Sequence, residues 1–157
     1  MSNCCGYLRW ICFSGNLIYL VDVPISSMNP RNYSETAQLV SAWGPSAFVM
    51  AAIFYVSGLS SVPVPSALPD VGVHAVAYAV LGASLLRGFA DAQWSQVTIR
   101  NAWWAVLLAV VYGATDEWHQ SFVPGRTPEL RDLFADAVGS AFGASVVWLW
   151  GIVLIDR

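Results

Sequence analysis

Tyr112-Gly-Ala-Thr-Asp-Glu-Trp-His-Gln-Ser-Phe-Val-Pro-Gly-Arg126, continued by Asp132 and Asp136, is the stretch that decides how this chain folds. An apolar run over 99–114, broken only by Arg100 and Asn101, leads into it, and a second over 133–155 leaves it with Asp136 as its one ionisable residue. Asp116, Glu117, His119, Arg126, Arg131 and Asp132 are thus gathered in a turn between two segments that partition into hydrocarbon. Ionisable groups at a membrane boundary snorkel or pair at small cost, and inside a bundle they mark a functional site by default. A solvated interhelical loop would also be charged. It has no need, however, to place Asp116, His119 and Gln120 on one helical face at i, i+3 and i+4.

Composition agrees. Of the 157 residues 57% are hydrophobic and 11% charged, where a soluble domain carries about 25% charged. The length suits one domain, and the apolar excess makes it an integral membrane protein. A net charge of −3 and the absence of lysine leave no basic stripe, so no nucleic-acid partner is expected. Cys4, Cys5 and Cys12 are odd in number and lack metal-ligand spacing, so they read as incidental. Acylation of the Cys4-Cys5 pair is the alternative.

Working outward, residues 1–40 read as a peripheral N-terminal segment and 41–157 as the transmembrane domain. Tyr7 to Ile25 is apolar but interrupted by Arg9, Gly15, Asn16, Asp22 and Pro24, which suits an uncleaved peripheral stretch better than a span. Asn29 to Thr36, with Pro30, reads as a linker. The expected fold is all-α, an integral membrane four-helix transmembrane bundle with spans near 43–59, 71–87, 101–119 and 132–154. A hydrocarbon core of about 30 Å takes roughly 20 helical residues, with about 17 near the lower limit. Trp43 and Tyr55 are placed as aromatic anchors. Pro63, Pro65 and Pro69 end the first span, and Asp70 stands at the N-cap of the second. Asp70, His74 and Tyr78 share a face at i, i+4 and i+8. Trp103 and Trp104 open the third span, and Pro124-Gly125 makes the next turn. Gly139-Ser-Ala-Phe-Gly143 in the fourth is a small-xxx-small face for close helix approach. Gly-rich phosphate loops, nucleophile elbows and metalloprotease HExxH patterns are absent.

Four consecutive spans alternate in direction. The start of the second, the end of the third and the start of the fourth therefore share a membrane face, which brings Asp70 and His74, residues 116–120 and residues 126–136 together. Arg31, Arg87, Arg100 and Arg157 fall on the opposite side from Arg126 and Arg131. The positive-inside bias then turns the polar face outward from the cell membrane.

The run Asp116-Glu-Trp-His-Gln-Ser-Phe-Val-Pro-Gly-Arg126, followed by Asp132, Gly139 and Gly143, resembles the signature of the VanZ-like family of small multi-spanning bacterial membrane proteins. Ser60, Ser61, Asp70, His74 and Tyr78 resemble its preceding element. The likeness extends from Trp43 to Gly151. It departs at Val71, where the family usually has Lys, and at Asp136, where it usually has Asn. The resemblance implies an envelope protein, and the founding member is associated with low-level resistance to the glycopeptide teicoplanin. Family likeness does not carry function over by itself.

Three functional readings stay open. In the first, the outward polar pocket binds a membrane lipid or a lipid-linked cell-wall component through Asp70, His74, Tyr78, Asp116, Glu117, His119, Gln120, Arg126, Asp132 and Asp136. Arg126 and Arg131 suit anionic phosphate or carboxylate groups because guanidinium meets them in a fork. In the second, an intramembrane enzyme uses His119 or His74 as acid and base, with Asp116 as an orienting carboxylate. In the third, the cluster only ties helices together. A metal on Asp116, His119 and Asp136 has no recognised ligand spacing, so neither metal nor cofactor is expected.

Overall fold

The computed structural model describes residues 7–14, 17–24, 30–60 and 70–155, with side chains over 35–60 and 70–153. The chain divides into two units, Met1–Ala37 and Gln38–Arg157. In the first, β1 (Tyr7–Ser14) and β2 (Leu17–Pro24) pair antiparallel, Tyr7 opposite Pro24 and Ser14 opposite Leu17. The stretch read from sequence as one peripheral segment is therefore a pair of strands. Its aromatic and β-branched residues, Tyr7, Trp10, Ile11 and Phe13 in β1 and Ile18, Tyr19, Val21 and Val23 in β2, favour that conformation. Cys4 and Cys5 lie outside the described residues.

The rest is a helical bundle. Among the described residues there are four α-helices: α1 (Pro30–Ser57), α2 (Asp70–Phe89), α3 (Ile99–Gln120) and α4 (Leu130–Ile155). The all-α bundle expected from the sequence is what forms. Residues 30–36, expected to be a linker, are instead helical. Pro30 opens α1 at a position where its missing N–H has no intrahelical role. Three helices are long and apolar enough to cross a membrane, over Glu35–Ser57, Asp70–Phe89 and Leu130–Val153, and this is a membrane protein. At 22 residues, α3 has the length, about 33 Å. It is less apolar because Arg100 and Asn101 stand at one end and Asp116, Glu117 and Gln120 at the other. Those last three are buried within the bundle.

Side-chain contacts fix the directions. Trp43 meets Phe89 edge-on at 5.1 Å, joining the middle of α1 to the end of α2. Ser57 bonds Asp116, joining the ends of α1 and α3, and His74 bonds Asp136, joining the starts of α2 and α4. Neighbours in sequence thus run antiparallel. The tightest seam lies between α2 and α4, where Gly139 and Gly143 face the backbones of Ala75 and Ala79, and Gly82 faces that of Ser140. A side chain at any of the three would meet main chain, which is why the small-residue face is needed.

α1 is held differently. Pro45 sits inside it and has no N–H for the carbonyl of Ser41. Arg87 of α2 donates to that carbonyl, its other terminal nitrogen lying 3.5 Å from the Ser41 hydroxyl. Trp43, read from sequence as a lipid anchor, packs on Phe89 and over Gly88. The Tyr112 hydroxyl donates to the Met50 carbonyl at 2.6 Å. These contacts hold α1 to α2 near its middle and to α3 at Met50. The apolar core, with Tyr78, Leu81, Leu85, Ala105 and Ala109 at its centre, fills the middle of the bundle and leaves the polar residues at one end.

Candidate functional site

The polar end is built from the end of α1, the start of α2, the end of α3 and the start of α4. Between α1 and α2 a cleft of about 360 Å³ opens there. Its walls are apolar, with Phe48, Ala52, Ile53 and Val56 from α1 and Val73, Ala77 and Val80 from α2. Its polar lining is Ser57, Asp70, His74, Tyr78, Asp116, Gln120 and Arg126. Six of the residues singled out in the sequence therefore share one cavity.

Asp116 is buried, yet no arginine reaches it among the described residues. The Ser57 hydroxyl donates to its Oδ1 at 2.7 Å and the Gln120 amide to its Oδ2 at 3.1 Å. Two neutral donors satisfy this carboxylate in place of a cation. The i, i+4 spacing of Asp116 and Gln120 put that second contact within reach of a sequence reading. Ser57 carried no such signal, because it belongs to another helix.

Arg126 comes from the turn between α3 and α4, where Gly125 takes a left-handed φ of 85°. Its Nε donates to the Leu59 carbonyl at 3.3 Å, and its Nη1 lies 3.7 Å from Asp70 Oδ2. The second of these is longer than a hydrogen bond, so the guanidinium keeps donors for an incoming anion. Arg131 turns away to the surface and pairs with Glu129 at 2.9 Å.

Behind the cleft wall lies a second layer. His74 Nδ1 stands 3.0 Å from Oδ1 of Asp136, which is fully buried. Glu117 and Asp132 are buried nearby, and Glu117 Oε2 accepts the backbone N–H of Glu129 at 2.9 Å, tying the end of α3 to the approach of α4. Gly113 makes room for this layer, since a Cβ there would lie 2.7 Å from Asp136 Oδ2. Tyr78 stacks beside His74 with ring centroids 6.4 Å apart. His119 stands apart from both layers, its ring stacked on Phe54 of α1 at 4.4 Å.

Chemically, the arrangement offers an apolar trough ending in one arginine, one imidazole oriented by a carboxylate, and a dense set of acceptors. A family model described as VanZ/LLP1 matches residues 72–151, just over half of the 157-residue chain. The matched region holds His74, Tyr78, all of α3, Arg126, Asp132 and Asp136; α1, the other wall of the cleft, lies outside it. Neither curated proteins nor solved structures gave a match.

Proposed function

We propose that this chain, which belongs to the VanZ/LLP1 family, holds an anionic lipid of the cell membrane in the cleft between α1 and α2. The lipid's chain lies along the apolar walls and its head group meets Arg126. The observation that carries this reading is the one-sided polarity of the cleft, apolar along its length and polar only at the end that bears Arg126. A volume of about 360 Å³ falls within the range of small-molecule sites, about 300–1,000 Å³. Arginine binds phosphate through paired N–H donors, and Asp70 beside it would orient hydroxyl or amine groups of the same head. The arginine distribution favours a cleft facing outward, so a lipid-linked precursor or carrier of the cell envelope fits the site as well as a phospholipid.

One observation favours a second reading. His74 lines the cleft with Asp136 behind it, the arrangement of a general base acting on a bound head group. His119, stacked on Phe54, has no such position. The two readings separate cleanly: an enzyme with His74→Ala loses turnover while keeping its lipid.

Native mass spectrometry of the detergent-purified protein tests the binding reading. The expected spectrum carries a stoichiometric anionic lipid that Arg126→Gln reduces at least tenfold. A bare wild-type protein under conditions that keep other membrane proteins lipidated would contradict it.

A further inference from the structure

We propose that His74, Glu117 and Asp136 bind a divalent transition-metal ion, of the Zn²⁺ or Mn²⁺ kind, between α2, α3 and α4. One ligand atom from each of the three lies within 4.8 Å of the other two. Glu117 is already oriented through one oxygen, Oε2, by the Glu129 N–H, and Asp136 Oδ1 stands 3.0 Å from His74 Nδ1, a contact that coordination through Nδ1 would replace. The other oxygen of each, Glu117 Oε1 and Asp136 Oδ2, is buried with no hydrogen-bond partner among the described residues, as is Asp132 Oδ1. Exposure is 8% for Glu117, 4% for Asp132 and 0% for Asp136, so bulk water does not supply what is missing. Buried acceptors left unmet destabilise a fold, and natural proteins rarely keep several together without an ion or ordered water.

Charge points the same way. Three buried carboxylates face a single histidine, and among the described residues no arginine pairs with any of the three: Arg131 pairs with Glu129, and Arg126 lies on the cleft side beside Asp70. Even a protonated His74 leaves the carboxylates in excess. A dication would neutralise them. The donor set selects its kind, because imidazole with carboxylate oxygens suits Zn²⁺ or Mn²⁺ better than the all-oxygen preference of Ca²⁺ or Mg²⁺. Bonds of about 2.0–2.2 Å hold donors roughly 3–4 Å apart, so the observed spread closes with small side-chain movements. Bundles build such sites from facing helices. Here Asp70/His74 and Asp132/Asp136 are i, i+4 pairs on parallel neighbours, and Asp70, His74 and Asp132 form an overlapping trio that ends on exposed Asp70. The inference stands without the lipid reading.

The test uses the full-length protein in detergent, stripped with chelator and then titrated with Zn²⁺ alone and Mn²⁺ alone. One ion per chain is expected, with a raised melting temperature. Zinc-edge X-ray absorption of the loaded wild type should show one imidazole nitrogen with carboxylate oxygens and no sulfur. Glu117→Gln, which keeps an acceptor for the Glu129 N–H, should weaken binding at least tenfold, and Asp91→Asn in the opposite connection should not. No saturable ion, sulfur scattering from Cys4, Cys5 or Cys12, or unchanged affinity in Glu117→Gln would each overturn the proposal. Should Glu117→Gln fail to fold, the absorption spectrum of the wild type decides alone.

Discussion

Asp116 shows what a single residue does in this bundle. It lies buried between α1 and α3 with the Ser57 hydroxyl on one oxygen and the Gln120 amide on the other. Asp116→Ala would strand both donors, and unmet buried hydrogen-bonding groups cost about 1–3 kcal/mol. The melting temperature in detergent should fall accordingly. Asp91→Asn, exposed in the connection after α2 and as tolerant as Asp of the left-handed φ of 49° there, should stay within about 0.5 kcal/mol of wild type; equal effects would mean that Asp116 does not tie α1 to α3. Sequence reading found the residue and its helical partner. It could not show that a hydroxyl from a distant helix serves the other oxygen. The same limit hid the grouping of His74, Glu117 and Asp136. Their spacing along the chain matches no ligand motif, and only the packing of three helices brings them together.

Helices were easier to read than their uses. The four elements stand where hydrophobic length and the proline breaks put them, because hydrocarbon thickness leaves little freedom in span length. Their polar starts were harder to place, as at 30–36, where helix continues past the apolar stretch. The strands of residues 7–24 were missed because an apolar run broken by Gly, Asn and Asp fits several conformations. The small-residue face of α4 was legible, and its partner proves to be α2. Gly143→Leu would drive a side chain into the Ala79 backbone, whose carbonyl carbon would lie 2.7 Å from the new Cβ. Overpacking of this sort costs about 1–3 kcal/mol or more, so a clear drop in melting temperature is expected. An unchanged value would separate α2 from α4 at this level.

For the whole molecule, alternation of four helices brought the polar residues to one end, which the sequence already implied. It could not foresee that α1 would stand off from α2 and leave a cleft. That gap follows from how α1 is held, by Trp43 and Arg87 near its middle and by Tyr112 and Ser57 on the α3 side. Sidedness is open to chemistry. In a background with Cys4, Cys5 and Cys12 replaced by Ser, His74→Cys should react with a membrane-impermeant thiol reagent added outside intact cells. Asp136→Cys, fully buried, should not. Reaction of His74→Cys only after lysis would turn the cleft inward.

The cleft as a lipid site is tested most directly by filling it. Ala52 lines the α1 wall and is exposed there, so Ala52→Trp occupies the trough without entering the core, whereas Leu107→Trp puts the same side chain at an exposed position on α3. The measurement is the molar ratio of retained anionic lipid to protein after identical detergent purification. The predicted result is a fall of at least tenfold for Ala52→Trp, with wild-type retention and an unchanged melting temperature for Leu107→Trp. Full retention by a folded Ala52→Trp protein would contradict it.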